Sequence, residues 1–291
     1  MSLKKVITII MNLVTESKFE ERVGPLSLIA LYVFLTLLIY LIAVYRRGKL
    51  REEDNERLGR SRATIAEKSR TVLLVISHPD DECMFFSPSI LALNSNLYTS
   101  VHILCLSNGD YYGQGDLREK ELILSCAILG IPSCNVTVLN ESELPDDPNA
   151  LWDEELVSKL VLHQIVKCDA QIVLTFDKHG VSSHPNHIAA YNGIRKLVVQ
   201  RQLPSGVRAF CLESIGIVRK YCSFLEVPIS FILCAIRGNK VLVSSPYGVL
   251  RAQRAMRAHA SQFVWFRVLN MFFSRYFIIN TIRSLKIKED S

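Results

Sequence analysis

Residues 75–85 read VISHPDDECMF, an apolar run that ends in a histidine, a proline and three consecutive carboxylates, Asp80, Asp81 and Glu82. Negative charge at the end of a buried strand is costly unless something compensates it, and a bound cation is the simplest compensation. About a hundred residues later the chain reads FDKHGVSSHPNHIAAY, with His184 and His187 three apart where a helix would begin. His78 and Asp81 have the same spacing, so at a turn that opens a helix both side chains point at one spot. Two histidines and one carboxylate are a common ligand set for a catalytic zinc, with one position left for water. Neutral imidazole and carboxylate suit zinc or another divalent metal, and no thiolate is required. The remaining groups then have tasks. Asp80 is placed to take a proton from an activated water. His184 is placed to steady an oxyanion or to protonate a departing amine. Glu82 is placed to orient a ligand from behind. Taken alone, the same run also reads as a surface turn in which Asp80 or Asp81 caps the next helix. His102 and His163 fall in apolar patterns and read as core histidines. His179 reads as a loop residue near the site, and His259 is open.

A scaffold has to bring these two loops together. TVLLVIS at 71–77 is a continuous apolar, β-branched run that suits a strand buried on both faces. Residues 82–94 read as helix and TSVHILCLS at 99–107 as a second strand. The polar loop NGDYYGQGD follows, and its Tyr111 and Tyr112 either contribute to substrate choice or pack the loop. Asp116 is positioned to cap the next helix, which Gly130 would stop. VTVL at 136–139 is a short strand, Asp153 caps a helix to residue 167, and QIVLTF at 171–176 is another strand. A helix over 184–202 and the strand VRAFCLESI at 207–215 complete the alternation. This is the pattern of an α/β fold with a doubly wound, mostly parallel, Rossmann-like sheet. Such sheets bind ligands outside the carboxyl ends of their strands, which is where both histidine clusters fall.

Bulk properties add a membrane. The 291 residues carry a formal charge of +6 and are 49% hydrophobic, which is high for a purely soluble chain and offers no dense basic groove for nucleic acid. Residues 26–45 hold no charge, long enough for a helix to cross a hydrocarbon core of about 30 Å. Arg46, Arg47, Lys49 and Arg51 follow at once, which favours a cytosolic location for that side, although Lys4, Lys5, Lys18 and Arg22 weaken the contrast. The expected organisation is an N-terminal extension (1–25), a transmembrane helix (26–45), a linker (46–70) and one catalytic domain (71–291). The eight cysteines lie mostly in apolar runs without a C-x-x-C pair, as small buried hydrophobes in a reducing compartment do. Two sequons, at Asn135 and Asn140, would matter only in a lumenal domain. Residues 221–236 are apolar but interrupted by Glu226 and Pro228, and read as core. From 263 onward aromatics interleave with Arg267, Arg275 and Arg283, as in a segment lying on a membrane surface or in an amphipathic helix packed on the domain.

The stretches HPDDECMFFSPSI, NGDYYGQGDLREKELILSCAILGIP, LPDDPNALWD, TFDKHGVSSHPNHIAAY and VRKYCSFLEVP resemble the LmbE-like family of zinc-dependent de-N-acetylases. They are similar in particular to its membrane-bound branch, which acts on N-acetylglucosaminyl-phosphatidylinositol in GPI-anchor synthesis. The resemblance spans residues 71–283 and the single N-terminal apolar segment. It implies His78, Asp81 and His187 as zinc ligands, Asp80 as general base, and His184 as the group that serves the oxyanion and leaving group. It also implies an R-x-x-E pair, Arg118 and Glu121; at a helix N-terminus Arg118 either meets the inositol phosphate or is a surface arginine paired along the helix. The expectation is therefore a zinc-dependent amide hydrolase in the endoplasmic reticulum membrane, single-pass, with its domain in the cytosol. Its partners would be a phosphatidylinositol-linked amino sugar and membrane lipid. The alternatives are a deacetylase of another N-acetyl amino sugar and a non-catalytic membrane adaptor; an adaptor would have no need of Asp80.

Overall fold

The computed structural model describes residues 24–60 and 69–286. The N-terminal extension up to residue 23 and residues 61–68 of the expected linker lie outside the described residues. The apolar run begins a 36-residue helix, α1 (Pro25–Arg60), that continues well past the expected end of the span. Its second half, RRGKLREEDNERLGR, consists mainly of good helix formers, and Lys49 pairs with Glu53 one turn on at 3.9 Å. Much of the run read as linker is thus helix.

Seven strands form one sheet in the order β3-β2-β1-β4-β5-β7-β6. β1 (Arg70–Ile76), rich in β-branched residues and buried along most of its length, pairs in parallel with β2 (Thr99–Cys105) on one side and β4 (Ile172–Thr175) on the other. β3 (Val136–Val138) extends the β2 side, and β5 (Arg208–Leu212) extends the β4 side, both in parallel. The strand order reverses between β1 and β4. Loops leaving these two strands diverge onto opposite faces and open a crevice at their carboxyl ends. This is the α/β, mostly parallel architecture read from the alternation of runs.

Local details differ from expectation for identifiable reasons. The helix expected over 82–94 is two helices, α2 (Asp81–Met84) and α3 (Ser87–Asn94), because Pro88 has no N–H to continue a helix and instead begins one. The next helix, α4 (Gly115–Leu129), is not capped by Asp116. Asp110 Oδ1 reaches across the tyrosine loop and accepts from the Gly115 N–H at 2.6 Å. Gly130, at φ +86°, stops that helix as expected. Asp153 does cap α5 (Glu154–Lys167), accepting from Glu155 N. His163 lies exposed on α5, and His102 is half-buried on β2, so neither is a core histidine.

The C-terminal third departs most. After α6 (Gly180–Ser183), α7 (Pro185–Val199), β5 and the short α8 (Ile217–Lys220), the apolar run around Pro228 forms α9 (Val227–Arg237). β6 (Lys240–Val243) and α10 (Pro246–Ala258) follow, then α11 (Trp265–Phe273) and β7 (Ile279–Ser284). β7 runs antiparallel between β5 and β6. The stretch read as a membrane-lying tail is therefore divided: α11 is an exposed amphipathic helix, whereas Arg275, Tyr276 and Phe277 are fully buried and β7 is an interior strand. Arg275 is admitted to the core because it meets Glu226, also fully buried, at 3.2 Å. All eight cysteines are free; five are buried, while Cys134 is exposed and Cys168 and Cys222 are half-buried.

Candidate metal centre and active site

The β1 loop is held by its own carboxylates. Asp81 Oδ2 accepts from the backbone N–H of Ser77 (3.0 Å) and of His78 (2.9 Å), which folds the turn back on itself. Glu82 Oε2 accepts from Asp80 N at 3.1 Å. Asp80 sits at φ 104°, a left-handed conformation that a non-glycine residue keeps only when its surroundings enforce it. It does not cap the helix with its side chain. The β4 loop is pinned by Asp177, whose carboxylate accepts from His179 N and Ser214 N at 3.0 and 2.9 Å. His184 then caps α7, its Nδ1 accepting from Asn186 N at 3.3 Å, so its Nε2 is left for the cavity.

The two loops meet. Ring nitrogens of His78, His184 and His187 lie within 4.8 Å of one another. Asp81 closes the same space, with Oδ1 3.1 Å from His187 Nε2 and Oδ2 4.0 Å from His78 Nδ1. His187 stacks on Phe176 with parallel ring planes and centroids 4.0 Å apart. His184 stands among the possible donors as well as in the catalytic place expected for it.

Whether this set fits a metal ion is decided by its hydrogen bonds. His187 Nδ1 lies 3.0 Å from Gly180 O, a carbonyl that only accepts, so Nδ1 bears the proton and Nε2 turns its lone pair toward Asp81. Two acceptors at 3.1 Å need a positive charge between them. A proton meets that need, and so does a divalent cation. Burial alone would lower the pKa of His187, but the Asp81 carboxylate outweighs burial and raises it. Burial would raise Asp81, but His187 and His78 hold it far below the usual carboxylate range. His78 Nε2 is bracketed on its far side by Asp146 Oδ1 at 3.1 Å and by the Asn186 side-chain amide at 2.9 Å, which leaves Nδ1 facing Asp81. Burial takes His78 down to about 4, so it is neutral near pH 7. The donor set of imidazole nitrogens and one carboxylate fits zinc.

Asp80 faces the same cavity. Burial raises its pKa against the pull of Arg267, whose guanidinium lies 2.9 Å from Oδ2. That ion pair is the contact Oδ2 makes; no aligned hydrogen bond reaches the oxygen. The cavity measures about 460 Å³ and also receives Tyr111, Tyr112, Phe266 and Arg267. The two tyrosines sit on its rim, 51% and 78% exposed, packed edge to face.

Three expected residues have different duties. Arg118 is buried, and its guanidinium donates to Pro79 O (2.9 Å), Gly109 O (2.8 Å) and Asp146 Oδ2 (2.7 Å), so it braces the loop and, through Asp146, His78 rather than standing free for a phosphate. Gly109 is needed there, because a Cβ would collide with that guanidinium. Glu121 is remote from the imidazoles; it accepts from Ser261 N and Oγ at 2.8 and 2.6 Å and anchors the turn before α11. Glu82 orients Asp80, not a ligand, and is itself paired with His259 at 2.8 Å. Asp146, Asn186 and Trp152, the last with its ring centroid 5.9 Å from that of His78, all adjoin His78 and lie in LPDDPNALWD and SHPNH, stretches that are conspicuous in the sequence without assigning these residues a role. Arg267 is conspicuous there only as one of the basic residues among the C-terminal aromatics.

Comparison with known proteins places this arrangement. Residues 73–198 match the family described as PIG-L: GlcNAc-PI de-N-acetylase. The chain is similar to the Bos taurus protein named N-acetylglucosaminyl-phosphatidylinositol de-N-acetylase, 42% identical over 217 residues, covering 75% of this chain and 84% of that one. It is similar also to a Dictyostelium discoideum protein named as a probable enzyme of the same kind, 37% identical over 250 residues, covering 77% of this chain and 96% of that one. Among solved structures, N,N'-diacetylchitobiose deacetylase from Pyrococcus horikoshii shares the fold, with a TM-score of 0.55 at 19% identity over 79% of this chain and 89% of that one.

Proposed function

The chain belongs to the GlcNAc-PI de-N-acetylase family and is an enzyme of the de-N-acetylase kind, and on that footing we propose that it hydrolyses the acetamide of N-acetylglucosaminyl-phosphatidylinositol to the free amine and acetate, a step of GPI-anchor synthesis. The observation that carries this is the convergence of His78, Asp81 and His187 on one cavity beside Asp80. A divalent ion held by those three side chains, zinc by their chemistry, would supply Lewis-acid activation of water and of the amide carbonyl.

The chain's own groups do the rest. Asp80 takes the proton of the attacking water, and its raised proton affinity suits a general base. The unusual backbone at Asp80, held by Glu82, aims the carboxylate into the cavity. His184 is neutral near pH 7, since burial and then His187 lower its pKa. It is placed to donate a hydrogen bond from Nε2 to the oxyanion, and the proton that the amine gains as the C–N bond breaks is the one Asp80 took from water. Tyr111 and Tyr112 on the rim offer flat apolar faces to a sugar.

Residues 26–45 of α1 act as a single membrane span, in the endoplasmic reticulum, with the domain in the cytosol. The basic run from Arg46 supports that orientation, as do the free thiols. The Asn135 amide nitrogen, which a glycan would need, is engaged by Ser100 Oγ and Val101 O at 3.1 and 3.2 Å. The direct test is release of acetate from the radiolabelled lipid-linked sugar, abolished by chelation and restored by zinc. Activity indifferent to chelation, or directed only at another amino sugar, defeats this reading.

A further inference from the structure

α1 is not a free stalk. Thr36 and Tyr40 are buried against the domain although the helix around them is apolar and exposed. With Tyr32 they form an i, i+4 seam. Tyr32 donates its hydroxyl proton to Leu225 O at 2.7 Å, and Tyr40 donates to Ser244 O at 2.9 Å. Arg47 reaches Val243 O beyond them. At about 1.5 Å per residue, Tyr32 lies roughly 20 Å along the helix from Tyr45, which stands at the basic end of the span. A hydrocarbon core is about 30 Å thick, so the domain surface at Leu225 reaches well into it.

That surface is built for the environment. α9 starts two residues after Leu225 and exposes Ile229, Ile232 and Ile236 at i, i+3 and i+7, Ile236 to 75%. α11 exposes Trp265, Phe266, Leu269, Phe272 and Phe273 along one face, Trp265 to 74%. The two helices are joined. Ser223 Oγ donates to Phe272 O at 3.2 Å, and Glu226, in the same turn as Leu225, is clamped by Ser230 Oγ at 2.8 Å and by Arg275 just after α11 at 3.2 Å. α11 in turn supplies Phe266 and Arg267 to the wall of the catalytic cavity.

From this continuity we propose that the domain is seated in the bilayer rather than suspended above it: α9 and α11 sink into the leaflet that holds the basic end of α1, and the catalytic mouth meets the lipid headgroups. The occupant of the apolar face is the lipid bilayer itself. Trp265, at the start of α11, suits the interface. A lipid-linked sugar then reaches Asp80 by lateral diffusion, with its acyl chains still in the leaflet. This rests on the reading of α1 as a span and of the substrate as a phosphatidylinositol-linked sugar.

The full chain in vesicles of phosphatidylcholine and phosphatidylinositol tests it in two ways. Phosphatidylcholine brominated on its acyl chains near the carbonyl should quench a tryptophan component that is absent from Trp265→Phe; a Trp265 signal untouched by bromine overturns the proposal. The double variant Phe272→Asp, Phe273→Asp should lower kcat/KM on the vesicle-borne substrate about tenfold or more through KM, and leave turnover of a soluble N-acetylglucosaminyl-inositol phosphate without acyl chains unchanged. Equal losses on both substrates overturn it. Failure of the unmodified enzyme to deacetylate either compound would defeat the functional reading instead, while the quenching result would still decide the seating.

Discussion

Two clusters of potential metal ligands among the described residues lie on either side of the same short turn, and their hydrogen bonds set them apart. His78, Asp81, His184 and His187 open onto a cavity, and within that set a protonated Nδ1 turns His187 Nε2 toward a carboxylate. Glu82, Cys83 and His259 are equally close together and more deeply buried. There the needs are met internally: Glu82 takes His259 Nε2 at 2.8 Å and the Ser125 hydroxyl, and Cys83 Sγ donates to Asp80 O at 3.2 Å. Burial, then Glu82 and Asp80, keep the Cys83 thiol protonated. Residue types alone do not separate the two clusters. A metal centre needs an open side, and the second cluster has none: its three residues are fully buried, and His259 Nδ1, which goes unpaired, faces no cavity that a ligand could enter.

The comparison breaks most visibly at Asp81. Asp81→Asn or His187→Gln should remove the bound metal, measured by elemental analysis, and take turnover below detection; retained metal with either variant would move the centre to the second cluster. Asp80→Asn should keep the metal and lower kcat about 100- to 10,000-fold, the range for a general base. Loss of metal there would mean that Asp80 is a ligand and not the base.

His259→Ala sharpens the contrast from the other side. It should leave metal content unchanged but strand a buried carboxylate, lowering unfolding free energy by about 3–5 kcal/mol in denaturant titrations. Its pH profile should flatten as well. Burial would raise Glu82, but His259 leaves it below its ordinary 4.5, so the stability it contributes is present above that value and is lost as pH falls through the lowered one. Burial would lower His259, but Glu82 leaves it above 6.5, so its contribution is full below 6.5 and is lost as pH rises through the raised value. The pair therefore supports the fold best between 4.5 and 6.5, and in the variant that maximum should disappear.

The sequence by itself determined the parallel half of the sheet and which side chains are candidates for a metal centre. Both depend on local causes: buried strands need unbroken apolar runs, and ligands three apart at a helix start share a face. It also determined the apolar helix, through length and absence of charge. It did not determine where that helix ends, because a run of charged helix formers is as compatible with a solvated helix as with a linker. Only the tertiary structure decided the rest. Arg275 and β7 belong to the core because Glu226, 49 residues earlier, neutralises a charge that would otherwise stay at the surface. Arg267 meets Asp80, and His259 braces Glu82, across separations of more than 170 residues. Arg118 turns inward because Asp146 and two carbonyls await it. Periodicity reports the face a side chain presents, whereas a charge or a lone pair takes its role from the partner that packing sets opposite it.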